Sequence, residues 1–432
     1  MTAADVLVVG GGAIGACVAY ELASQGVRVT VLERDAAPGG GCSYGNAGLI
    51  CPSHAQPLPS PLALRQGPSW VLRRDSPLHL DPRPALVPWL ARFARAATAE
   101  QAARGAETIR SLSLRSLRRH GELARMHDTG FVREGLLNVY ETADGFAFGR
   151  AEAATNQDAG LRPEVLSAAH ARELEPTLRP GLAGAVRYPG DAHCDPGRFV
   201  HAMTQAAVDM GATIHTGVEA FALRRRGRRV VGVETTAGLM SAGAVVLAAG
   251  SWTRKLARGL LFVPIEGGKG YHVEFDAPPR QLQRPVIVHE PRVVLTPLPG
   301  RVRVAGTLDL AGLDMTIDAA RVAALVHAAG RILPSLADAR VRGVWRGIRP
   351  CAPDGLPIVG RPERVDNLIL ATAHAMMGLT LAPLTGQIVA DLVQRREPSV
   401  DAGPLSPDRF RSLLGPRRQT TWPRSHASSS RS

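Results

Sequence analysis

DVLVVGGGAIGACVAYELASQGVRVTVLE, residues 5–33, decides the fold. DVLVV is a short apolar strand, GGGAIG a glycine turn, ACVAYELASQ a helical pattern closed by Gly26, and VRVTVLE a second strand ending on Glu33. Strand, helix and strand in such close succession make a βαβ unit, which calls for a parallel sheet. Gly10, Gly12 and Gly15 stand in G-x-G-x-x-G spacing between the first strand and the helix. The first glycine makes the tight turn, the second lets a pyrophosphate approach the backbone, and the third lets helix pack on strand. The helix N-terminus supplies partial positive charge for the phosphates, and Glu33 is placed to accept hydrogen bonds from ribose hydroxyls. These residues together predict a dinucleotide site.

The next stretch, GGGCSYGNAGLICPSH (39–54), tells which dinucleotide. Cys42, Cys51 and His54 offer three metal ligands without a fourth nearby, on a chain too rich in glycine for rigid coordination, so no metal centre is expected. Cys42 and Cys51 lack the C-x-x-C spacing of a redox dithiol. A plain NAD domain would resume strand–helix alternation here. A glycine-rich loop instead suits a chain that follows an extended ligand past its pyrophosphate toward a flat ring, which favours FAD. Two later segments agree. GVEAFAL (217–223) brings backbone to where an adenine would lie, and VVLAAGSWT (245–253) ends a strand in small residues, including Gly250, that permit close approach.

Composition sets the outer limits. At 432 residues, 45% hydrophobic and 21% charged, the chain is long enough for two domains with a large core. Its net charge of +13 comes from arginine, since only Lys255 and Lys269 among the 51 basic residues are lysine. The arginines are scattered, which reads as coding bias and a solvated surface; no nucleic-acid partner is expected, while weak contact with an anionic membrane stays open. Neither a secretory leader nor a long uninterrupted apolar run is apparent. Five scattered cysteines do not resemble a disulfide framework, which points to the cytoplasm, with peripheral attachment to the inner face of the membrane as an option.

Further along, residues 84–128 read as helical with Val87, Leu90, Phe93, Ala94 and Ala97 on one face, and PEVLSAAHARELE (163–175) reads as a helix. Asp195 and Pro196 open another helix that Gly211 stops. VVGVETT and GAVVLAAGSW are expected in the parallel sheet. FVPIEGGKGYHVEF, PVIVHEPRVVLTPL and RVRVAGTL read as an antiparallel meander, and NLILATA as a buried strand before a last helix. The serine-rich tail, 415–432, reads as disordered.

Four stretches together resemble the FAD-dependent D-amino-acid oxidase superfamily: the 6–33 unit, SYGNAGLICP, VVLAAGSWT, and GIRPCAPDGLPIVG with NLILATAHAMMGLTLAPLTGQ. Within it the chain is most similar to the D-amino-acid dehydrogenase and glycine oxidase branch. The resemblance covers residues 4–395 with the motifs in family order. It implies an α/β fold with a discontinuous Rossmann-type FAD-binding domain, 1–83, 190–260 and 335–397. A mixed or antiparallel-sheet α+β substrate domain would take 84–189 and 261–334.

The same resemblance assigns residues. Gly10, Gly12, Ile14 and Gly15 match the pyrophosphate loop, and Glu33 with Arg34 the ribose end. Gly41, Cys42, Asn46, Ala47 and Gly48 fall in the segment beside the isoalloxazine ring, and Val218 at the adenine. Gly378, Leu379 and Thr380 open the helix facing the flavin pyrimidine edge, where a positive dipole end suits a reduced, negative flavin. Arg349 matches the arginine that pairs with a substrate carboxylate, a task for which its planar fork is suited. Arg346 is the alternative. Tyr271 either covers the substrate or packs in a core; Lys269, His54 and His374 are further candidates, although isolated histidines are more often structural. The chain has Ala373-His374 where the family often has Gly-His. Spacing near Cys351 differs from that of relatives with covalent flavin, so non-covalent FAD is expected.

The expected activity is FAD-dependent dehydrogenation of a CH–NH2 or CH–NH bond in a small amino acid, a D-amino acid or a cyclic imino acid. Oxygen, a quinone or a partner subunit would take the electrons. The competing readings are a glycine- or sarcosine-type amine oxidase, and a non-catalytic or tRNA-directed flavoprotein of the same fold.

Overall fold

The computed structural model describes residues 4–72, 78–278 and 280–411, so the tail expected to be disordered lies outside the described residues. The opening βαβ unit seeds a six-stranded sheet. Its order is Ile358–Gly360, Leu368–Thr372, Ala242–Leu247, Ala4–Val9, Val29–Leu32 and Thr213–His215. Every neighbouring pair is parallel except the first. Ala4–Val9 is central, with Val6 opposite both Val29 and Ala244. It reads as a continuous apolar run because both of its faces are covered. Val6 and Val8 enter one core with the Ala13–Ala23, Pro196–Asp209 and Gly378–Val393 helices, whereas Leu7 and Val9 enter another with Val233, Leu256 and Ile265.

A second, nine-stranded sheet carries the substrate side. Its order runs Val341–Cys351, Glu266–Asp276, Arg301–Leu310, Val293–Leu298, Val286–Val288, Leu136–Tyr140, Gly184–Tyr188 and Glu164–Leu166, with Leu78–Leu80 pairing beside Arg301–Leu310. The expected meander is its centre. The Ala319–Ile332 helix covers one face, where Tyr271, Val273 and Phe275 pack against Leu325, Ala328 and Ala329.

Several expectations are corrected. Val341–Cys351 pairs along Glu266–Asp276, so the boundary at 335 falls on the wrong side of that strand. The Ala99–Met126 helix puts Leu112, Leu117 and Leu123 into the core of the six-stranded sheet, so the boundary at 84 also fails. An amphipathic helix declares that it has a buried face but not which sheet it covers. Arg229–Thr235, expected in the parallel sheet, forms a separate antiparallel sheet with Ala220–Arg226 and Gly238–Met240, and its exposed positions near one end fit a strand with one wet face. The 84–128 helix breaks at Thr98, whose side chain caps a new helix by accepting from Gln101 N. Val87 is exposed, and Trp89 is the buried residue of the Val87–Ala96 helix. In 163–175 only Ala168–Leu174 is helical. Asp195 does cap Pro196–Asp209, accepting from Gly197 N and Arg198 N at 2.9 and 3.3 Å. Ala375–Val393 is long and apolar enough by composition to cross a membrane, but most of it is buried as a core helix.

Candidate active site

The dinucleotide cradle is made of backbone. Gly10 has φ +108°, and a Cβ there would lie 2.6 Å from Ala248 O. A Cβ on Gly15 would collide with Gly10 O, which is the close helix–strand approach the third glycine permits. Gly12 opens the Ala13–Ala23 helix with no acidic residue in its first turn, where Ile14 also lies. Ser43, from the following loop, accepts from Ala13 N at 2.9 Å. Glu33 ties the turn together: its two oxygens accept from Gly11 N at 2.7 Å and Asp35 N at 2.9 Å. Val218 N donates to Glu33 O at 2.9 Å, so the segment assigned to the adenine docks beside the end of the second strand. Arg34 stacks on Trp252 at 3.7 Å. Gly41 and Gly250 have open space where a side chain would stand. Narrow glycine approaches, open space and a helix start free of negative charge fit FAD.

The loop beyond the cradle is held by the second sheet. Arg303 is fully buried and its Nη1 donates to Tyr44 O at 2.6 Å and Asn46 O at 2.7 Å. Its Nη2 and Nε reach Glu274 Oε1 at 2.7 and 3.1 Å, and Arg301 bridges Glu274 to Asp195. Burial opposes the charge on Glu274, but the bonds and charges of Arg303 and Arg301 hold its carboxyl below its ordinary range. Thr296 Oγ1 donates to Ala47 O at 2.6 Å. Asn46 closes its own turn, its Oδ1 accepting from Gly48 N at 2.8 Å while Nδ2 donates to Met376 O at 3.3 Å. Gly48, at φ +84°, passes so close to Cys194 O that a Cβ would sit 2.5 Å away. His272 stacks on Trp345 with ring centroids 5.2 Å apart, and Trp345 fills the space a side chain at Gly45 would need. Burial first, and then the charge of Arg303, pull the His272 imidazole down to about 4.

Arg349 shares this face. It lies opposite Gly268 in the strand register, and its guanidinium covers Gly270, where a Cβ would collide with it. Its Nη1 donates to Thr307 O at 2.7 Å, and no carboxylate pairs with it among the described residues. Burial pushes the thiols of Cys42 and Cys351 up, against the nearby charge of Arg349. Arg346 lies on the opposite face and donates to Met315 O at 2.8 Å.

Strand alternation also bears on two candidates, turning Lys269 aside and leaving Tyr271 with its packing alternative. Lys269 and Tyr271 point away from Arg349. Lys269 Nζ pairs with Asp314 at 2.5 Å and donates to Thr316 O at 3.1 Å, while Tyr271 is buried on the Ala319–Ile332 side and its hydroxyl accepts from Asp318 N at 3.4 Å. Neither forms the wall of a pocket around Arg349.

The histidines are both engaged elsewhere. His374, between Ala373 at φ +62° and Ala375 at φ +46°, shares a hydrogen bond with Thr385 Oγ1 at 3.0 Å, and burial lowers it to about 3. His54 Nδ1 meets Ser53 Oγ at 2.8 Å and Nε2 meets Asn138 Nδ2 at 3.3 Å; burial lowers it to about 4. Ser53 Oγ donates in turn to Asp191, a buried carboxyl raised to about 7 by desolvation. Both imidazoles are therefore neutral at pH 7. The Gly378–Val393 helix begins after Met377 without a side-chain cap; Leu379 O meets His120 Nε2 at 3.0 Å and Thr380 Oγ1 donates to Leu49 O at 3.0 Å. Its N-terminus is thus aligned with the 46–49 loop.

Sequence reasoning missed Ser43, His272, Glu274, Thr296, Arg303 and Trp345. One signal was available: Gly268 and Gly270 stand two apart on one strand and Gly347 faces Gly270 from the next, a glycine patch over which the side chains of Leu308, Trp345 and Arg349 lie.

Comparison with known proteins agrees with this geometry. The family profile described as FAD dependent oxidoreductase matches residues 5–392. The chain is 34% identical over 420 residues to a D-amino acid dehydrogenase of Methylobacterium nodulans, covering 94% of this chain and 99% of that one. It is 34% identical over 424 residues to D-amino acid dehydrogenase 2 of Ralstonia nicotianae, covering 93% and 99%. Among solved structures, glycine oxidase from Geobacillus kaustophilus superposes with a TM-score of 0.76 at 29% identity, covering 94% of this chain and 98% of that one.

Proposed function

Because this chain belongs to the FAD dependent oxidoreductase family, we propose that it dehydrogenates a small amino acid, a D-amino acid or a cyclic imino acid, held by Arg349. The observation that carries this reading is the Arg349 guanidinium. It has no acidic partner among the described residues and lies on the face whose other residues grip the cofactor loop. The relatives named as D-amino acid dehydrogenases support the substrate class.

Gly10, Gly12, Gly15, Glu33 and the 41–48 loop hold FAD, which when bound supplies the acceptor for a hydride. Arg349 takes the substrate carboxylate through two parallel hydrogen bonds and so fixes where the Cα–H points. The substrate amine must be neutral before the hydride leaves Cα. The resulting iminium loses a proton to give an imine, which hydrolyses to a 2-oxo acid or, from a proline-like substrate, stays cyclic. His54 and His374 are neutral, buried and already hydrogen-bonded, so orientation and electrostatics rather than a strong base supply the catalysis. The N-terminus of the Gly378–Val393 helix adds positive potential beside the loop.

The five cysteines are free and four are buried, which favours a reducing compartment, with the enzyme cytoplasmic or peripheral at the membrane. Oxygen, a quinone or a partner subunit takes the electrons. A glycine- or sarcosine-type oxidase is the second reading, favoured by the superposition with glycine oxidase. Anaerobic bleaching of the FAD-loaded protein by D-amino acids, glycine, sarcosine and D-hydroxyproline tests both; reoxidation by oxygen or by a quinone then separates oxidase from dehydrogenase. Protein that stays colourless with added FAD would contradict the whole reading.

A further inference from the structure

Where the Arg301–Leu310 strand passes Gly270 it carries one residue too many. Lys269 lies opposite Asp309 and Tyr271 opposite Gly306, so Thr307 and Leu308 together face the single Gly270, a β-bulge. The two flanking residues look the same way: a Cβ on Gly306 would meet Leu325 of the Ala319–Ile332 helix, and Asp309 pairs with Arg321 of that helix. A regular strand would turn them to opposite faces. Both residues between them belong to the Arg349 side. Leu308 lies over Gly268, and Thr307 O accepts from Arg349 Nη1 at 2.7 Å. Thr307 stands at φ +65°, a backbone where such a bulge ordinarily carries glycine and a β-branched residue is disfavoured. Its hydroxyl is buried and has no hydrogen-bond partner among the described residues.

We propose that Thr307 is a second substrate-binding residue beside Arg349, its hydroxyl donating to the amino acid's carboxylate while its carbonyl fixes the guanidinium that carries the charge. The proposal rests on the reading of Arg349 as carboxylate anchor given above.

Three observations support it. The first is reach. Covalent geometry keeps the hydroxyl and carbonyl oxygens of one threonine within about 5 Å of each other, and this carbonyl touches the guanidinium, so one small carboxylate can bond both groups. The second is an unmet hydrogen bond. Thr296, on the neighbouring strand, donates its hydroxyl to Ala47 O, whereas the Thr307 hydroxyl is left without a partner. Burial of a lone hydroxyl is costly, and a carboxylate acceptor relieves that cost. The third is residue type. The backbone at 307 suits glycine, so the threonine side chain is a group the bulge itself does not need. Strain of this kind persists where a ligand site is held in place by its surroundings.

The test is an equilibrium titration of the FAD-loaded protein with acetate, followed by the flavin absorption spectrum, with anaerobic stopped flow using whichever amino acid bleaches the wild type. Thr307→Val keeps the shape and the backbone carbonyl but removes the hydroxyl. It is expected to weaken acetate binding about 10-fold and to lower the second-order rate of flavin reduction by about the same factor, with FAD retained and the saturating rate within about threefold of wild type. Thr307→Ser restores the hydroxyl and should bind acetate within about twofold of wild type. Thr307→Gly relieves the backbone, so its melting temperature should hold or rise while acetate binding falls as in Thr307→Val. A purely structural role would not move stability and binding in opposite directions. Wild-type acetate affinity in Thr307→Val, or equal losses in Thr307→Val and Thr307→Ser, would overturn the proposal. Loss of FAD in place of acetate affinity would assign the hydroxyl to the cofactor and overturn it too. A wild type that neither binds acetate nor is bleached by any amino acid would instead overturn the reading of Arg349, and this proposal with it.

Discussion

Along the Glu266–Asp276 strand, Gly268, Gly270, His272 and Glu274 look toward the cofactor loop and Arg349, whereas Lys269, Tyr271, Val273 and Phe275 look toward the Ala319–Ile332 helix. The first face is made of absences and charges. Glycines make room for the side chains of Arg349 and Trp345, and Arg303, held by Glu274, grips backbone carbonyls of another segment. The second is a close-packed core at whose margin Lys269 is paired with Asp314. Period-two geometry puts chemistry and packing one residue apart, so nearness in sequence to a motif says little about nearness to its reaction.

The difference can be broken most forcefully at Arg303. Arg303→Ala removes charge-assisted hydrogen bonds to Glu274 and to the carbonyls of Tyr44 and Asn46 and leaves half-buried Glu274 with Arg301 alone, a loss of about 3–5 kcal/mol at about 1.5–3 kcal/mol for each such bond. FAD retention after gel filtration and thermal melting should both fall; a variant that holds FAD as tightly as wild type would show that the clamp is incidental.

Acid should separate the two faces next. The folded His272 imidazole is held at about 4, below its ordinary value near 6.5, so its contribution is present above that value and is lost as pH falls from about 6.5 through 4. Protonation places a new cation beside Arg303 and Arg301, with Glu274, Trp345 and Tyr44 as the remaining neighbours, at a cost of at most about 3 kcal/mol. On the other face Asp314, held at about 2 by Lys269 and Thr316, keeps its charge until lower pH. FAD fluorescence should therefore rise between pH 6 and 4 before far-UV circular dichroism is lost. Simultaneous loss of both signals would contradict this order.

Gly270→Ala gives a finer cut. The new methyl meets the movable end of Arg349 and not a backbone atom, so the protein should fold and bind FAD while KM rises about tenfold, a cost near 1.4 kcal/mol. An unchanged KM would mean that the observed place of the guanidinium is not the working one. Tyr271→Phe, on the packed face, should cost less than about 1 kcal/mol in thermal stability and leave KM and kcat unchanged. A large kcat loss would return Tyr271 to the site.

Much of the cofactor side was legible because its devices are local. Gly10, Gly12, Gly15 and Glu33 lie within one βαβ unit, and the glycines of 39–48 announce backbone approach wherever the chain goes next. Arg349 was legible through its motif alone, since 49 arginines dilute any signal from residue type. The face of Lys269 and Tyr271 was not legible: nearly every residue of EGGKGYHVEFD is buried, so no wet–dry alternation marks the two sides. Arg303 was hidden for another reason, since the carbonyls it holds are more than 250 positions away and only the folded sheet brings them together. The boundary at 335 failed because the strand carrying Arg349 closes the second sheet and only then returns the chain to the first.

The most direct measurement is an equilibrium titration of the FAD-loaded protein with an unreactive small carboxylate, followed by the perturbation of the flavin absorption spectrum. Two charge-assisted hydrogen bonds, each about 1.5–3 kcal/mol, predict that Arg349→Ala weakens binding by at least about 100-fold while Lys269→Met and Tyr271→Phe bind as wild type. Undiminished binding by Arg349→Ala, or lost binding in the Lys269 and Tyr271 variants, would place the substrate on the other face and contradict the account.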